Sequence, residues 1–106
     1  MNMCKFMEDK EVRNDKTAKF NKVFSNLTIT IQTGSSYHDA LIHALTNYTS
    51  EIEFGECKVT NEWRYPNSVS IFVTTDTGDF KITVVESKNI VGDRMITIIE
   101  GLCVKG

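Results

Sequence analysis

A chain of 106 residues with 41% apolar and 25% charged residues is sized and composed for one globular domain, which excludes wholesale disorder. The net charge of −2 is unevenly placed: residues 1–24 carry six basic and four acidic side chains, and residues 25–106 carry six basic and ten acidic. The acidic body lacks the concentrated basic face of a nucleic-acid domain, so direct nucleic-acid binding is not expected.

No apolar run approaches the ~20 residues of a membrane span, so no membrane association is expected. Met1 to Glu11 shows neither the apolar stretch nor the cleavage site of a secretory leader, and the reading is cytoplasmic. Cys4, Cys57 and Cys103 are odd in number, widely spaced and without a C-x-x-C pair. They fit neither a disulfide framework nor a zinc module, and no cofactor is expected.

In chain order, residues 1–24 read as a charged N-terminal arm or a short helix. Val12, Phe20, Val23 and Phe24 give the helix an apolar side, while Asn14 and Asn21 weaken it. Residues 25–106 read as a single α+β domain. Leu27–Thr33 opens it with clean alternation, placing Leu27, Ile29 and Ile31 on one face of a strand.

The segment Ser36–Ile52 is the strongest helix signal. Tyr37, Leu41, Ala44, Leu45, Tyr48 and Ile52 share a face, and Asp39, His43, Thr46, Asn47 and Ser50 share the opposite one. Ser36 stands at the N-cap with Asp39 three residues on, an approximate capping box, and Gly55 follows as a stop.

After Gly55 the period returns to two. In Glu56–Tyr65, the residues Cys57, Val59, Trp63 and Tyr65 share a face with Asn61, against Lys58, Thr60, Glu62 and Arg64. That parity packs Trp63 and Tyr65 under the helix. Asn61 is out of place on an apolar face and marks a candidate bulge, which would turn both rings outward. Pro66-Asn67 is a turn, and Ser68–Thr75 places Val69, Ile71 and Val73 on one face. Gly78 closes a hairpin loop. Phe80–Ser87 then places Phe80, Ile82 and Val84 inward, and Arg94–Glu100 carries apolar residues on both faces. That two-sidedness, with Phe72 and Val85, predicts a covered outer side, by the N-terminal arm or by a second copy of the chain.

The predicted fold class is therefore α+β. One central helix packs on a curled antiparallel sheet of about five strands, in the order β-α-β-β-β-β. This order resembles the helix-grasping sheet of the cystatin-like architecture. The loop Tyr65-Pro66-Asn67-Ser68-Val69 does not carry that family's glutamine-valine-glycine inhibitory sequence, so the resemblance extends to architecture alone.

Chemistry-bearing patterns are sparse. His38 and His43 are five apart on the helix, about 140° around its axis, and cannot grip one metal together. Solvated or half-packed histidines explain both, and capping explains Ser36. No nucleophile elbow or phosphate loop occurs, so no catalytic residue is assigned and an enzyme is not the expected class.

Two patches remain. Glu51, Glu53, Glu56 and Glu62 gather where the helix ends and the next strand begins, and Trp63 and Tyr65 lie beside them. Carboxylates at a helix C-terminus oppose the dipole, at a cost of a few tenths of a kcal/mol each. A solvated surface explains them adequately; a docking site for a protein with a basic surface explains them and the aromatics together. The expected function is accordingly a small protein-binding or inhibitory protein of the immunity, antitoxin or phage-encoded anti-defence type, which occludes a partner's working surface. The alternative is a ligand-binding or enzymatic domain with a pocket between helix and sheet, lined by Tyr37, His38, Tyr48 and Trp63.

Overall fold

The structure is a computed structural model that describes residues 2–47 and 54–105, with side chains from Lys10 onward. Glu51, Glu53, Tyr48 and Ile52, all named above, lie outside the described residues. The chain folds in the order α1 (Asn2–Phe24), β1 (Thr28–Thr30), α2 (Tyr37–Asn47), β2 (Lys58–Arg64), β3 (Val69–Thr75), β4 (Gly78–Lys88) and β5 (Arg94–Lys105). The five strands form one antiparallel sheet in the spatial order β1-β5-β4-β3-β2. The α+β class and the β-α-β-β-β-β succession are as the alternation of the sequence implies. A helix precedes them.

Helix α2 begins as its capping residues dictate: Asp39 N donates to Ser36 Oγ at 3.1 Å, and Ser36 N reaches back to Asp39 Oδ2 at 3.5 Å. Tyr37, Leu41, Ala44 and Leu45 are its buried face. Beneath it lie Ile71, Val73, Ile82, Val84, Ile96 and Ile98 from the sheet.

The segment read as arm or short helix is α1, and it is integral to the core. Phe20 and Phe24 are fully buried and join Phe54 and Phe80 in one aromatic cluster, with ring centroids 4.8 to 6.1 Å apart. Phe20 lies on Gly101 of β5, where an added Cβ would stand 2.3 Å from the ring. Only glycine permits that approach.

The polar residues of α1 do as much as its apolar ones. Strand β1 is three residues long and leaves the edge of β5 bare beyond Ile98. Side chains of α1 and of the turn after it replace the missing strand. Ser25 Oγ donates to Ile99 O at 3.1 Å, and the Asn21 amide donates to Gly101 O at 3.0 Å and accepts from Gly101 N at 2.9 Å. Thr17 Oγ1 accepts from Cys103 N at 2.9 Å. Unpaired edge amides both cost stability and invite aggregation, and α1 removes that hazard. Asn21, a poor helix former, is thus placed by its pairing to β5 rather than by propensity.

Both helices cover the same face of the sheet. The expected covering of the other face by the N-terminal segment is not realised, because the burial of Phe20 and Phe24 commits α1 to the inner side. Ile99, Leu102 and Val104 are exposed along β5, and Trp63 is exposed on β2.

Candidate functional site

The distinctive feature of the sheet is an irregularity in β2. Val59 pairs with Val73, and Asn61 then pairs with Phe72, so Thr60 and Asn61 together oppose one residue of β3. Thr60 Oγ1 donates to Phe72 O at 3.3 Å within this bulge. One extra residue inverts the facing of everything that follows. Glu62 now pairs with buried Ile71, and Arg64 with Val69, on the helix side. Trp63 pairs with Ser70 on the opposite side. The packing of Trp63 and Tyr65 under the helix is therefore corrected: Trp63 is 56% exposed and Tyr65 53%.

Turned inward at the rim, Glu62 and Arg64 meet the first turn of α2. Glu62 Oε1 accepts from the Tyr37 hydroxyl and lies 2.6 Å from His38 Nε2. Arg64 Nε donates to Glu62 Oε2 at 2.7 Å, and its Nη2 donates to the Tyr37 oxygen at 2.8 Å. The guanidinium carbon also stands 5.1 Å from the centroid of the Tyr37 ring, and Glu86 of β4 lies 3.9 Å from Nη2.

The electrostatics follow from this geometry. Burial, reinforced by the hydrogen bond to Glu62, pushes the Tyr37 hydroxyl up to about 12. That same hydrogen bond, with those from His38 and Arg64, holds the Glu62 carboxyl below its ordinary range. Pairing with Glu62, and then the field of Tyr37, raises Arg64 further. Both oxygens of Glu62 are engaged, so the cluster is a clasp that ties α2 to β2.

The remaining candidates are dispersed. Glu56 is exposed at the approach to β2, where its N–H donates to Asp76 Oδ2 at 3.1 Å. Gly55 beside it has φ +64, and a Cβ there would collide with the Asp76 carboxylate. Among the described residues His43 bonds within its own helix, to Thr46 and Asn47. Burial pushes the thiols of Cys57 and Cys103 up. Among the described residues no three His, Cys, Asp or Glu side chains converge as a metal site would require. Of the residues expected to line a pocket, Tyr37 is buried, His38 borders an open groove between α2 and β2 with Ile42, His43, Cys57 and Val59, and Trp63 lies on the opposite face of the sheet.

The clasp escaped the sequence reading because Tyr37, His38, Glu62 and Arg64 lie 24 to 27 residues apart across helix and strand. Asn61 was the available signal. A bulge there reverses the parity of the strand, which makes Glu62 and Arg64 the inward pair.

No protein-family model matches the chain, nor does any curated protein or solved structure. Among the described residues no helix is long and apolar enough to cross a membrane.

Proposed function

We propose that this chain is a protein-binding domain whose bare sheet face occludes the working surface of a partner protein, with Trp63 and Tyr65 as its anchors. The observation that carries this reading is the outward placement of both rings, one on β2 and one directly after it, on a strand clamped from behind by the Glu62–Arg64–Tyr37 clasp. Large aromatic side chains held on a rigid element make effective binding anchors, because little conformational freedom is lost when they dock.

Of the four-glutamate patch, Glu51 and Glu53 lie outside the described residues. Glu62 faces the clasp, and Glu56 is exposed just before the start of β2. The body's excess of ten acidic over six basic residues still favours encounter with a basic partner over long range. Occlusion of this kind suits an inhibitory protein of the immunity, antitoxin or phage-encoded anti-defence type, acting without a cofactor.

The test is an affinity capture from host lysate with the full chain, in parallel with Trp63→Ala and Tyr65→Ala variants whose folding is checked by circular dichroism. One stoichiometric partner retained by the natural chain and lost by both folded variants supports the reading. The same proteins captured by all three would overturn it.

A further inference from the structure

The turn joining β4 to β5 carries the most exposed aliphatic side chains described: Ile90 is 105% exposed and Val91 79%. Nothing about this turn is loose. Asn89 Oδ1 accepts from Val91 N at 3.1 Å and Asp93 N at 2.9 Å, and Asn89 N donates to Asp93 O at 3.0 Å. Gly92 N donates to Asn89 O at 3.0 Å, with the glycine at φ +87. Two water-exposed aliphatics are thus presented on a fixed scaffold. At its root, Lys88 and Arg94 are paired directly across the ladder. Like charges so placed repel, and among the described residues neither forms an ion pair.

A complement lies on the same molecule. A cleft of about 210 Å³ between β1 and α2 has Ile29 and Ala40 in its lining and Asp39, Ser35 and Gln32 among its polar residues. It has room for an aliphatic side chain and offers a carboxylate to a cation. Arg94 O accepts from Ile31 N at 2.8 Å, and Thr30 of the cleft pairs with Met95. The root of the turn therefore adjoins the cleft, and its tip is Ile90 and Val91, three to four residues further along the chain. A knob and a socket so close together, each too exposed to satisfy the other, make a self-complementary patch that a two-fold axis can close.

We propose that the chain forms a two-fold dimer in which Ile90 and Val91 of each copy insert into the β1–α2 cleft of the other, with Lys88 and Arg94 facing the partner's Asp39. This surface is separate from Trp63 and Tyr65, so each proposal stands or falls alone.

Sedimentation equilibrium of the full chain over micromolar concentrations should show a reversible monomer–dimer equilibrium that weakens in high salt. The double variant Ile90→Asp/Val91→Asp alters only exposed side chains, keeps the natural circular dichroism spectrum, and should raise the dissociation constant about a hundredfold. Mixing a Val91→Cys chain with a differently tagged Ser35→Cys chain should give a disulfide between the two introduced thiols, located by mass spectrometry. A monomer at every concentration would overturn the proposal, as would a dimer unaffected by the double variant. So would a monomer that uses the turn to bind vesicles of anionic lipid.

Discussion

The two faces of the sheet are built from the same strands and have opposite fates. The inner face is dry, with Phe20, Phe24, Leu41 and Leu45 of two helices laid over Ile71, Ile82, Val84, Ile96 and Ile98. On the outer face no described helix lies over the strands, and Trp63, Leu102 and Val104 are exposed. What separates them is not hydrophobicity, since Trp63 is among the most apolar residues of β2. Parity separates them, and the bulge at Thr60 and Asn61 sets the parity. A strand can thus deliver its aromatic residue to solvent and its charged residues to the helix, provided the charges find one another there.

The largest test of that contrast pairs one deletion on each face. Phe20→Ala removes a ring that packs against Phe24, Phe54, Phe80 and Gly101, and should lower stability by about 4 kcal/mol in urea unfolding. Trp63→Ala should change it by less than about 0.5 kcal/mol. Comparable losses from the two variants would mean that the outer face is not bare.

Deleting Thr60 breaks the comparison from the other side. Without the extra residue, β2 must either bring Trp63 under the helices and expel Glu62 and Arg64, or lose its register with β3. A loss of about 3 kcal/mol is expected, with quenched or blue-shifted Trp63 fluorescence if the ring turns inward. A deletion with unchanged stability and emission would show that the bulge does not control the facing.

Asn21→Ala should be milder, at about 2 kcal/mol, because it leaves Gly101 N–H and C=O without their α1 partners at the edge of β5. Hydrogen exchange at Gly101 should accelerate selectively; unaltered protection would deny the helix its edge-covering role.

The smallest effects concern the clasp and carry a definite sign with pH. The Glu62 carboxyl titrates lower in the folded chain than in the unfolded one. Its stabilisation is therefore present above the ordinary carboxylate range and fades as pH falls through the folded value. Tyr37 titrates at about 12 against an ordinary 10.0, so its contribution is whole below pH 10.0 and fades as pH rises toward 12. Urea midpoints should drop at both extremes, and Glu62→Gln should flatten the acid limb. An alkaline absorbance titration should show a late phenolate step that Tyr37→Phe abolishes. A step unchanged in that variant would assign it elsewhere.

Much of the inner face was legible in the chain itself. The alternation of Val69, Ile71 and Val73 and of Phe80, Ile82 and Val84 named the core side of two strands, and Ser36 with Asp39 named the start of α2. The candidate site was legible only in outline: strand parity taken without the bulge puts Trp63 and Tyr65 under the helix and Glu62 outside, and the structure reverses all three. Helix α1 was under-read because its fit depends on a distant strand, where Asn21 meets Gly101 eighty residues away.

By itself, then, the sequence determined the α+β class, the succession of strands and the inner faces of β3 and β4, since local periodicity and capping depend on neighbours in the chain. Tertiary structure alone decided that α1 joins the inner layer, that Glu62, Arg64, Tyr37 and His38 converge, and that Trp63 looks outward. Those outcomes depend on register and on pairings between distant segments, where a single inserted residue reverses the sense of a whole strand.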